Sequence, residues 1–349
     1  MLSRTERLLG DAAKDRTLIL EIGPCHAPIA PKAAGWKTHV VDHTDQAGLC
    51  KKYRASDVDL AAIEPVDSIW TAGRLDAAVP EQLHGCFDRL IASHVIEHLP
   101  DPAGFLAAAG RLLRPDGVVA LAIPDKRFCF DYFRPSTTTG EVLEAFFAGR
   151  SRHPARSLWN HLTTTISMGG VGAWGQHAVS VPAFLSNFGT PEAARACFAG
   201  GEGAAYEDCH AWVFTPAGFA LLMLDLGQLG VTEWRIESLD GPAGCEFFAM
   251  LRRGVGSVAD PAILQTRRIA LLREQLAELG EQISFAEAGG LLPNAHARSG
   301  AVPPGVADAT MMFLHHEHRL SEVERRVQRL YENLAPLAAL LRRLGLRRR

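Results

Sequence analysis

Short apolar runs alternate with helix-like segments over about the first 254 residues, and this alternation restricts the folds open to the chain. Such runs are the predicted strands at 17–22, 38–42, 67–71, 87–93 and 118–123. Uninterrupted apolar strands separated by helices are typical of a parallel sheet that is buried on both faces. The sequence therefore predicts an α/β fold with a doubly wound sheet.

Breaker residues mark where two helices of this pattern begin or end. A helix over 102–113 places Phe105, Leu106 and Leu112 on one face, and Arg114-Pro115-Asp116-Gly117 ends it. A second helix is predicted from Thr215-Pro216 to residue 226, with Thr215 as N-cap. Two later β-rich runs, 231–239 and 245–252, predict an antiparallel pair at the edge of the sheet.

The loop after the first strand constrains the ligand. A pyrophosphate-binding loop has the pattern G-x-G-x-x-G, whereas here Gly23 is the only glycine of the segment GPCHAP. This departure argues against a nicotinamide-dependent dehydrogenase. Asp42 ends the second strand 19 residues after Gly23, about where an acid binds the two hydroxyls of an adenosine ribose. A plain turn residue is the alternative for Asp42. A helix is expected to follow the loop and to point its first N–H groups at the ligand.

Later motifs follow this loop in a recognisable order. With the segments LEIGPCHAP, VVDH, WTAGRLDA, FDRLIASHVIEHLPDP and LLRPDGVVALAIP, the chain resembles class I S-adenosylmethionine-dependent methyltransferases over about residues 17–123. The late antiparallel pair fits the same family. The resemblance implies a Rossmann-like sheet with an insert after strand 5. It is closest to bacterial methyltransferases of mostly unassigned substrate, some of which are associated with glycan and cell-surface biosynthesis.

The resemblance also implies S-adenosylmethionine as cofactor and a set of residues around it. Glu21 would support the methionine amino group, Gly23 would lie under the methionine part, and Asp42 would hold the ribose diol. The loop 72–75 would hold the adenine, and Ser93 with His94 would lie beside the sulfonium. The full predicted cofactor site is Glu21, Gly23, Pro24, Cys25, Asp42, His43, Ala72, Gly73, Leu75, Ser93 and His94.

This chain departs from the family at two positions of the loop. Cys25 and Ala27 stand where the family commonly has glycine. Both side chains are small, so a close approach of the backbone to the cofactor is preserved. Because residues with a Cβ disfavour a positive φ, we expect the loop to avoid that conformation at both positions.

Methyl transfer needs alignment of donor and acceptor, and a base where the acceptor is a hydroxyl or a protonated amine. The insert at 125–211 follows the fifth strand on the side where ligands bind. Arg127, Tyr132 and Arg134 are candidate contacts of an anionic or sugar-like acceptor. A packing role within the insert is an equally good interpretation of any one of these residues. The candidate catalytic residues are His94, Asp125, His161, His177 and His210.

His94, Glu97 and His98 have the spacing of one helix face. Some quinone-type O-methyltransferases bind a divalent metal with E-x-x-E-H at this place, and a His/Glu/His set could do the same. Structural hydrogen bonding by Glu97 and His98 is the favoured interpretation. The prediction is therefore that the site holds no metal.

Composition excludes several classes of partner. The 36 basic and 39 acidic residues nearly balance, so nothing points to nucleic acid. The seven cysteines are scattered without a C-x-x-C pair, which suits free thiols in a reducing cytoplasm. The charged N-terminal segment does not suggest a secretory signal, and no apolar stretch has the length of a membrane helix. We expect a cytoplasmic protein.

Domain boundaries follow from changes in composition. We predict a methyltransferase domain at 1–254, a helix within 255–287, a linker at 288–310 and a basic, coiled-coil-like helix at 311–349. Self-association or partner docking is the favoured role of this last helix, and contact with an anionic membrane surface is the alternative. Its heptad positions are Phe313, His316, Leu320, Val323, Val327, Leu330, Leu334, Leu337, Leu341 and Leu344.

The function predicted from sequence is S-adenosylmethionine-dependent methyl transfer. O-methylation of a sugar, a glycan or a small metabolite is the first expectation for the acceptor. The alternative is a non-catalytic scaffold of the same fold, which would assemble a glycan or envelope biosynthesis complex through its C-terminal helix.

Overall fold

The computed structural model describes residues 2–168, 171–175, 185–187, 189–199, 206–254 and 257–288. The chain divides into two compact units, Met1–Leu292 and Pro293–Arg349. Every described residue belongs to the first unit. The predicted coiled-coil-like helix at 311–349 and nearly all of the predicted linker lie outside the described residues and remain predictions.

The described strands are named in chain order. They are β1 (Leu18–Ile22), β2 (Lys37–Asp42), β3 (Ser68–Ile69), β4 (Phe87–Ser93), β5 (Leu113–Pro124), β6 (Ile166–Met168), β7 (Leu185–Asn187), β8 (Trp234–Ala243) and β9 (Glu246–Arg253). The α-helices are α1 (Arg4–Leu9), α2 (Gln46–Tyr53), α3 (Leu75–Ala78), α4 (Pro102–Leu112), α5 (Thr139–Phe147), α6 (Ala155–Thr164), α7 (Pro191–Ala194), α8 (Pro216–Gln228) and α9 (Pro261–Ala288).

Seven of these strands form one sheet in the order β3-β2-β1-β4-β5-β9-β8. The neighbours from β3 to β5 are parallel, whereas β9 runs antiparallel to both β5 and β8. β6 and β7 form a separate antiparallel pair. The α/β, Rossmann-like prediction is confirmed, including the late antiparallel pair. We call the edge at which the parallel strands end the carboxyl edge. Glu246, which begins β9, pairs with Pro124 and so lies at this edge too.

Both faces of the sheet are covered, which explains why its strands are nearly continuous apolar runs. Leu20 and Leu90 belong to the larger hydrophobic core, which α4 and α8 also enter. Their neighbours Ile19 and Ile91 belong to a second core that α1 covers. Side chains of a strand alternate between faces, so β1 and β4 each supply both cores.

Trp234, at the start of β8, is fully buried in the larger core. Its indole Nε1–H donates to the carbonyl of Leu106 in α4 at 2.8 Å. A buried tryptophan needs such a partner for its one polar atom. The residue therefore fixes the edge of the sheet to α4 through both packing and a hydrogen bond.

Helix α9 lies against α8 and also reaches the segment that follows β5. Gln282 accepts a hydrogen bond from Lys126 Nζ at 2.9 Å, and Glu281 pairs with Arg127 Nη1 at 2.6 Å. Its outward surface carries a row of exposed aliphatic side chains at alternating spacings of three and four residues. The row is Ile269, Leu272, Leu276, Leu279 and Ile283.

The first connection of the sheet differs from the prediction. No α-helix follows β1, because the chain passes through an irregular loop and a single 3-10 turn, Lys32–Ala34, before β2 begins. Pro24, Pro28 and Pro31 interrupt this segment. Proline lacks the N–H that a helix interior needs, which explains the missing helix.

The bounds of two strands differ from the predicted ones because of how these strands pair with their neighbours. β5 begins at Leu113 instead of residue 118, since Leu113 pairs with Phe87, and the pairing of the two strands then shifts register before it resumes at Arg89 and Val118. β8 extends to Ala243 through the predicted break. Among the described helices, none is long and apolar enough to cross a membrane.

Trp234→Ala is expected to lower the free energy of unfolding by about 3–5 kcal/mol, because it leaves a large cavity and removes a buried hydrogen bond. Trp234→Phe keeps most of the apolar volume and should cost about half as much. Urea denaturation of the three proteins measures both values. A loss below about 1 kcal/mol for Trp234→Ala would contradict the packing described here.

Candidate active site

The loop after β1 turns sharply beneath the carboxyl edge. Gly23 has a φ of 61° and Cys25 a φ of 50°. The expectation that this loop avoids positive φ is therefore wrong at Cys25. The Cys25 backbone N–H donates to Asp42 Oδ2 at 3.2 Å, and this bond holds the left-handed turn in place. Burial raises the pKa of the Cys25 thiol, so the group is a neutral thiol near neutral pH.

Glu21 is buried in β1, with 2 % of its surface exposed. Its two carboxylate oxygens accept the backbone N–H groups of Ile29 at 2.6 Å and Ala30 at 3.1 Å. The acid thus closes the far end of the loop. Burial outweighs these hydrogen bonds and raises the pKa of Glu21 to about 7.

Asp42 ends β2 beside the same loop and is 4 % exposed. Besides the bond from Cys25, its Oδ1 accepts the backbone N–H of His43 at 2.8 Å and His43 Nδ1 at 2.6 Å. Burial alone would raise the pKa of Asp42, but the hydrogen bonds from His43 outweigh it and hold the pKa below its usual value. Asp42 is therefore an ionised acceptor at the carboxyl edge, as binding of a ribose diol requires.

The loop after β3 is tied to Asp42. The Trp70 backbone N–H donates to the Asp42 carbonyl at 2.8 Å, and the Trp70 indole donates to the Gly73 carbonyl at 3.0 Å. Gly73 has a φ of 73°, and a Cβ there would meet no atom within 4 Å. Ala72 and Gly73 are exposed, whereas Leu75 is buried in the larger core. Of this loop, Ala72 and Gly73 are open to solvent and Leu75 anchors it in the core.

Ser93 ends β4 at the carboxyl edge, and His94 follows it, next to β9 and α1. His94 has a φ of 53°, a conformation that concentrates at functional sites in residues with a Cβ. Its Nε2 lies 2.7 Å from Glu246 Oε2. Arg4 of α1 hydrogen-bonds Ser93 Oγ and also pairs with Glu246 at 2.7 Å. Burial would raise the pKa of Glu246, but the bonds from His94 and Arg4 outweigh it and lower the pKa.

His94 belongs to a group of four imidazoles, which we call the histidine cluster: His94, His98, His161 and His210. The rings of His98 and His210 have centroids 4.5 Å apart, and those of His161 and His210 lie 6.0 Å apart. Burial lowers the pKa of His161 to about 4, with further lowering from the charge of His210. His161 is therefore a neutral imidazole near neutral pH.

His98 and His210 are each oriented by a carboxylate. His98 Nδ1 lies 3.0 Å from Asp208 Oδ1, and His210 Nδ1 lies 2.6 Å from Asp131 Oδ2. Burial lowers the pKa of His98, yet the bond to Asp208 and the charge of Glu97 outweigh it, so the pKa is raised. For the acid Asp131, burial acts in the opposite direction and would raise the pKa. The charge of His210 outweighs burial, so the pKa of Asp131 is lowered.

The segment that follows β5 is held by protein groups. Asp125 is fully buried, and both of its carboxylate oxygens accept from the Arg127 guanidinium, at 2.9 and 2.6 Å. The Tyr132 hydroxyl donates to the Gln282 carbonyl at 2.5 Å, and Arg134 pairs with Asp131 at 2.7 Å. Asp125 thus holds Arg127, which in turn contacts α9. Arg127, Tyr132 and Arg134, the candidate acceptor contacts, all bond to other protein groups and support the site from within the protein.

His94, Glu97 and His98 do not lie on an α-helix, because only a 3-10 turn, Ile96–His98, follows β4. The turn still brings their side chains together, with His94 Nδ1 and His98 Nε2 at 3.8 and 3.9 Å from Glu97 Oε1. His177 lies outside the described residues.

Sequence reasoning missed four charged residues of the site: Arg4, Asp131, Asp208 and Glu246. The predicted antiparallel strand at 245–252 could have indicated Glu246, since its first residues must return to the carboxyl edge. The other three come from a helix and two loops whose positions no local pattern reveals. A separate surface pocket, lined in part by Leu18, Lys37 and Phe87, opens at the opposite ends of these strands.

Comparison with known proteins supports the same interpretation. A family model described as a methyltransferase domain matches residues 2–171. Curated proteins give no match in sequence. Three solved structures illustrate the structural likeness. The CcbJ methyltransferase from Streptomyces caelestis is 12 % identical, with 72 % of this chain and 94 % of that chain covered and a TM-score of 0.38.

The second is a protein from Listeria monocytogenes described as an S-adenosylmethionine dependent methyltransferase. It is 10 % identical, with 72 % and 96 % of the two chains covered and a TM-score of 0.36. The third, from Rhodobacter sphaeroides, is described as a Zn-dependent alcohol dehydrogenase. It is 13 % identical, with 72 % and 89 % covered and a TM-score of 0.38. Likenesses at this level carry no argument about the reaction.

Glu21 makes the stability of this site depend on pH. Its pKa is 4.5 in the unfolded chain and about 7 in the folded one, so the folded state binds more protons in between. Glu21 therefore stabilises the folded state fully below pH 4.5. This stabilisation, about 3 kcal/mol in total, is lost as the pH rises through about 7.

Urea denaturation of the wild type and of Glu21→Gln, between about pH 5 and about pH 8, tests this dependence. The wild type should lose stability relative to the variant as the pH rises, because the amide does not titrate. A difference that stays constant or widens in favour of the wild type would contradict the raised pKa.

Proposed function

We propose that this chain, which belongs to the class I S-adenosylmethionine-dependent methyltransferases, transfers the methyl group to a hydroxyl oxygen of a sugar, a glycan or a small metabolite. The observation that carries the proposal is the histidine cluster, whose member His94 lies next to the predicted position of the sulfonium. A hydroxyl is a poor nucleophile until its proton is taken up, and this cluster supplies imidazoles for that purpose.

The cofactor site is proposed at the carboxyl edge between β1, β2 and β4. Asp42 would accept both ribose hydroxyls, since its carboxylate is ionised and already oriented by His43. The turn at Gly23 and Cys25 would bring the backbone close to the methionine part. Glu21 supports this turn indirectly, because its carboxylate holds the backbone of Ile29 and Ala30. Contact between Glu21 and the methionine amino group then needs a bridging water or a rearranged loop.

The cofactor supplies an activated methyl group on its sulfonium. The work left to the protein is to align the acceptor oxygen with that methyl and to receive the proton. His94 is 37 % exposed in its side chain and held by Glu246, so it can face both the cofactor and the acceptor. His161 and His210 line the same region from the insert, where a hydroxyl-bearing acceptor would lie.

Other features support the choice of acceptor class. Because basic and acidic residues nearly balance, the chain has no net positive charge that would attract nucleic acid. The candidate site carries imidazoles and aromatic rings, among them Phe130, whose ring lies 4.4 Å from that of His210. Neutral hydroxylated molecules bind to such surfaces through ring stacking and hydrogen bonds. We keep a cytoplasmic location and self-association through residues 311–349 as proposals.

Asp42→Ala is expected to weaken binding of S-adenosylmethionine at least about 100-fold, because two charge-assisted hydrogen bonds to the ribose are lost. Isothermal titration calorimetry of purified protein measures the change. Asp116→Ala, at an exposed position in the first part of β5, is the matched control and should bind as the wild type does. Equal affinity of Asp42→Ala and wild type would contradict the assigned cofactor site.

Methyl transfer itself is testable without a known acceptor. Extracts of source cells that lack the gene are incubated with the protein and methyl-labelled S-adenosylmethionine. We expect label in a product that survives mild alkali, as methyl ethers do and methyl esters do not. Alkali-labile label would indicate a carboxylate acceptor. Cofactor binding without any transfer would favour the scaffold of the same fold.

A further inference from the structure

Glu97 is the least satisfied charged group of the described residues near this site. Its side chain is 1 % exposed, and neither carboxylate oxygen has a hydrogen-bond partner. A buried carboxylate without hydrogen bonds costs several kcal/mol. Such a group requires a charged partner that the protein atoms around it do not provide at bonding distance.

Three imidazole nitrogens surround Glu97 Oε1 at nearly equal distances. His94 Nδ1 lies at 3.8 Å, and the Nε2 atoms of His98 and His210 both lie at 3.9 Å. These distances exceed those of hydrogen bonds, which are about 2.7–3.2 Å. They match the spacing of ligand atoms around a shared ion, about 3–4 Å when each bond is about 2.1 Å.

Three of these side chains converge from two separate parts of the chain. One ligand atom each from Glu97, His98 and His210 lie within 4.8 Å of one another. His210 reaches this place because the backbone N–H groups of Ala211 and Trp212 donate to the Glu97 carbonyl, at 2.8 and 3.2 Å. The convergence is thus built into the backbone.

Each imidazole is also held in the tautomer that a metal needs. An ionised carboxylate only accepts hydrogen bonds, so the ring nitrogen facing it carries the hydrogen. Asp208 and Asp131 face Nδ1 of His98 and His210, and Glu246 faces Nε2 of His94. When the ring is neutral, the opposite nitrogen presents its lone pair toward Glu97. Metal-binding histidines are oriented by outer carboxylates in this way.

We propose that Glu97, His98 and His210 bind a divalent transition-metal ion, with Zn²⁺ as the first choice, and that His94 Nδ1 faces the same ion. Two imidazoles and one carboxylate are ligands that Zn²⁺ and Fe²⁺ favour over Mg²⁺ or Ca²⁺. Metal binding at this site does not depend on the proposed function. Only the role of the ion in methyl transfer rests on it. An acceptor hydroxyl bound to the ion would lose its proton more readily, and His161 is the imidazole of the cluster that would receive it while His94, His98 and His210 face the ion.

Direct pairing of protonated histidines with Glu97 is the competing explanation. It would place at least one N–H within hydrogen-bond distance of the carboxylate, yet all three nitrogens lie too far away for this. It would also leave both Glu97 oxygens unbonded. An ion between the four side chains satisfies Glu97 and the three lone pairs together.

The test measures binding of Zn²⁺ alone, without cofactor or acceptor. Protein stripped with a chelator is titrated by calorimetry, and metal content after dialysis is measured by mass spectrometry. We expect one equivalent per chain for the wild type and at least a 100-fold weaker affinity for Glu97→Gln, which keeps the size of the side chain. His98→Ala and His210→Ala should also lose the ion. His84→Ala, which removes an imidazole bonded to the backbone of α3, is the control and should keep it.

Thermal melting with and without Zn²⁺ shows whether the variants fold, and Zn²⁺ should raise the melting temperature of the wild type and His84→Ala alone. Visible absorption of the Co²⁺-substituted protein reports the coordination geometry and should change in His94→Ala. No bound Zn²⁺ in the wild type, or equal affinity in folded Glu97→Gln, would overturn the proposal. Metal binding without methyl transfer would contradict the proposed function but leave the site intact.

Discussion

A parallel sheet that is buried on both faces holds most of its polar groups where its strands end, and the buried charges inside its strands, Glu21 of β1 and Arg89 of β4, are hydrogen-bonded. Leu20 and Ile19 of β1 point into two different cores, so the strand interior offers no space for a charge other than Glu21. The polar chemistry of this protein therefore gathers at the carboxyl edge, on the turns that follow β1, β2 and β4. At this edge the backbone adopts the left-handed conformation at Cys25 and His94, as a sharp turn requires.

Carboxylates are the groups that organise this edge. Glu21 holds the far end of the first loop, Asp42 holds its turn, and Glu246 holds His94. Asp131 and Asp208 orient two further histidines from segments far apart in the chain. A buried carboxylate is costly unless it is hydrogen-bonded, so each one fixes its partner firmly. Glu97 is the exception among these acids, and the proposed ion accounts for it.

The fold could be predicted from sequence because the patterns that indicate it are local. Apolar strands, the Thr215 cap and the antiparallel pair each depend on a few neighbouring residues, and all appear in the structure. Patterns failed where position depends on distant contacts. The loop between β1 and β2 has no helix because of three prolines, and His210 approaches Glu97 through backbone bonds from residues more than 100 positions away. Asp125, a reasonable candidate base in sequence, forms a buried ion pair with Arg127, which no spacing rule foretells.

The central claim is that the methyl donor lies at the carboxyl edge with its sulfur toward the histidine cluster. A crystal structure with S-adenosylhomocysteine, grown in the presence of Zn²⁺, tests it most directly. The account predicts the ribose hydroxyls on Asp42, the sulfur beside His94, and anomalous scattering from an ion between Glu97, His98 and His210. A nucleoside bound away from Asp42, or a sulfur that faces away from His94, would contradict the account.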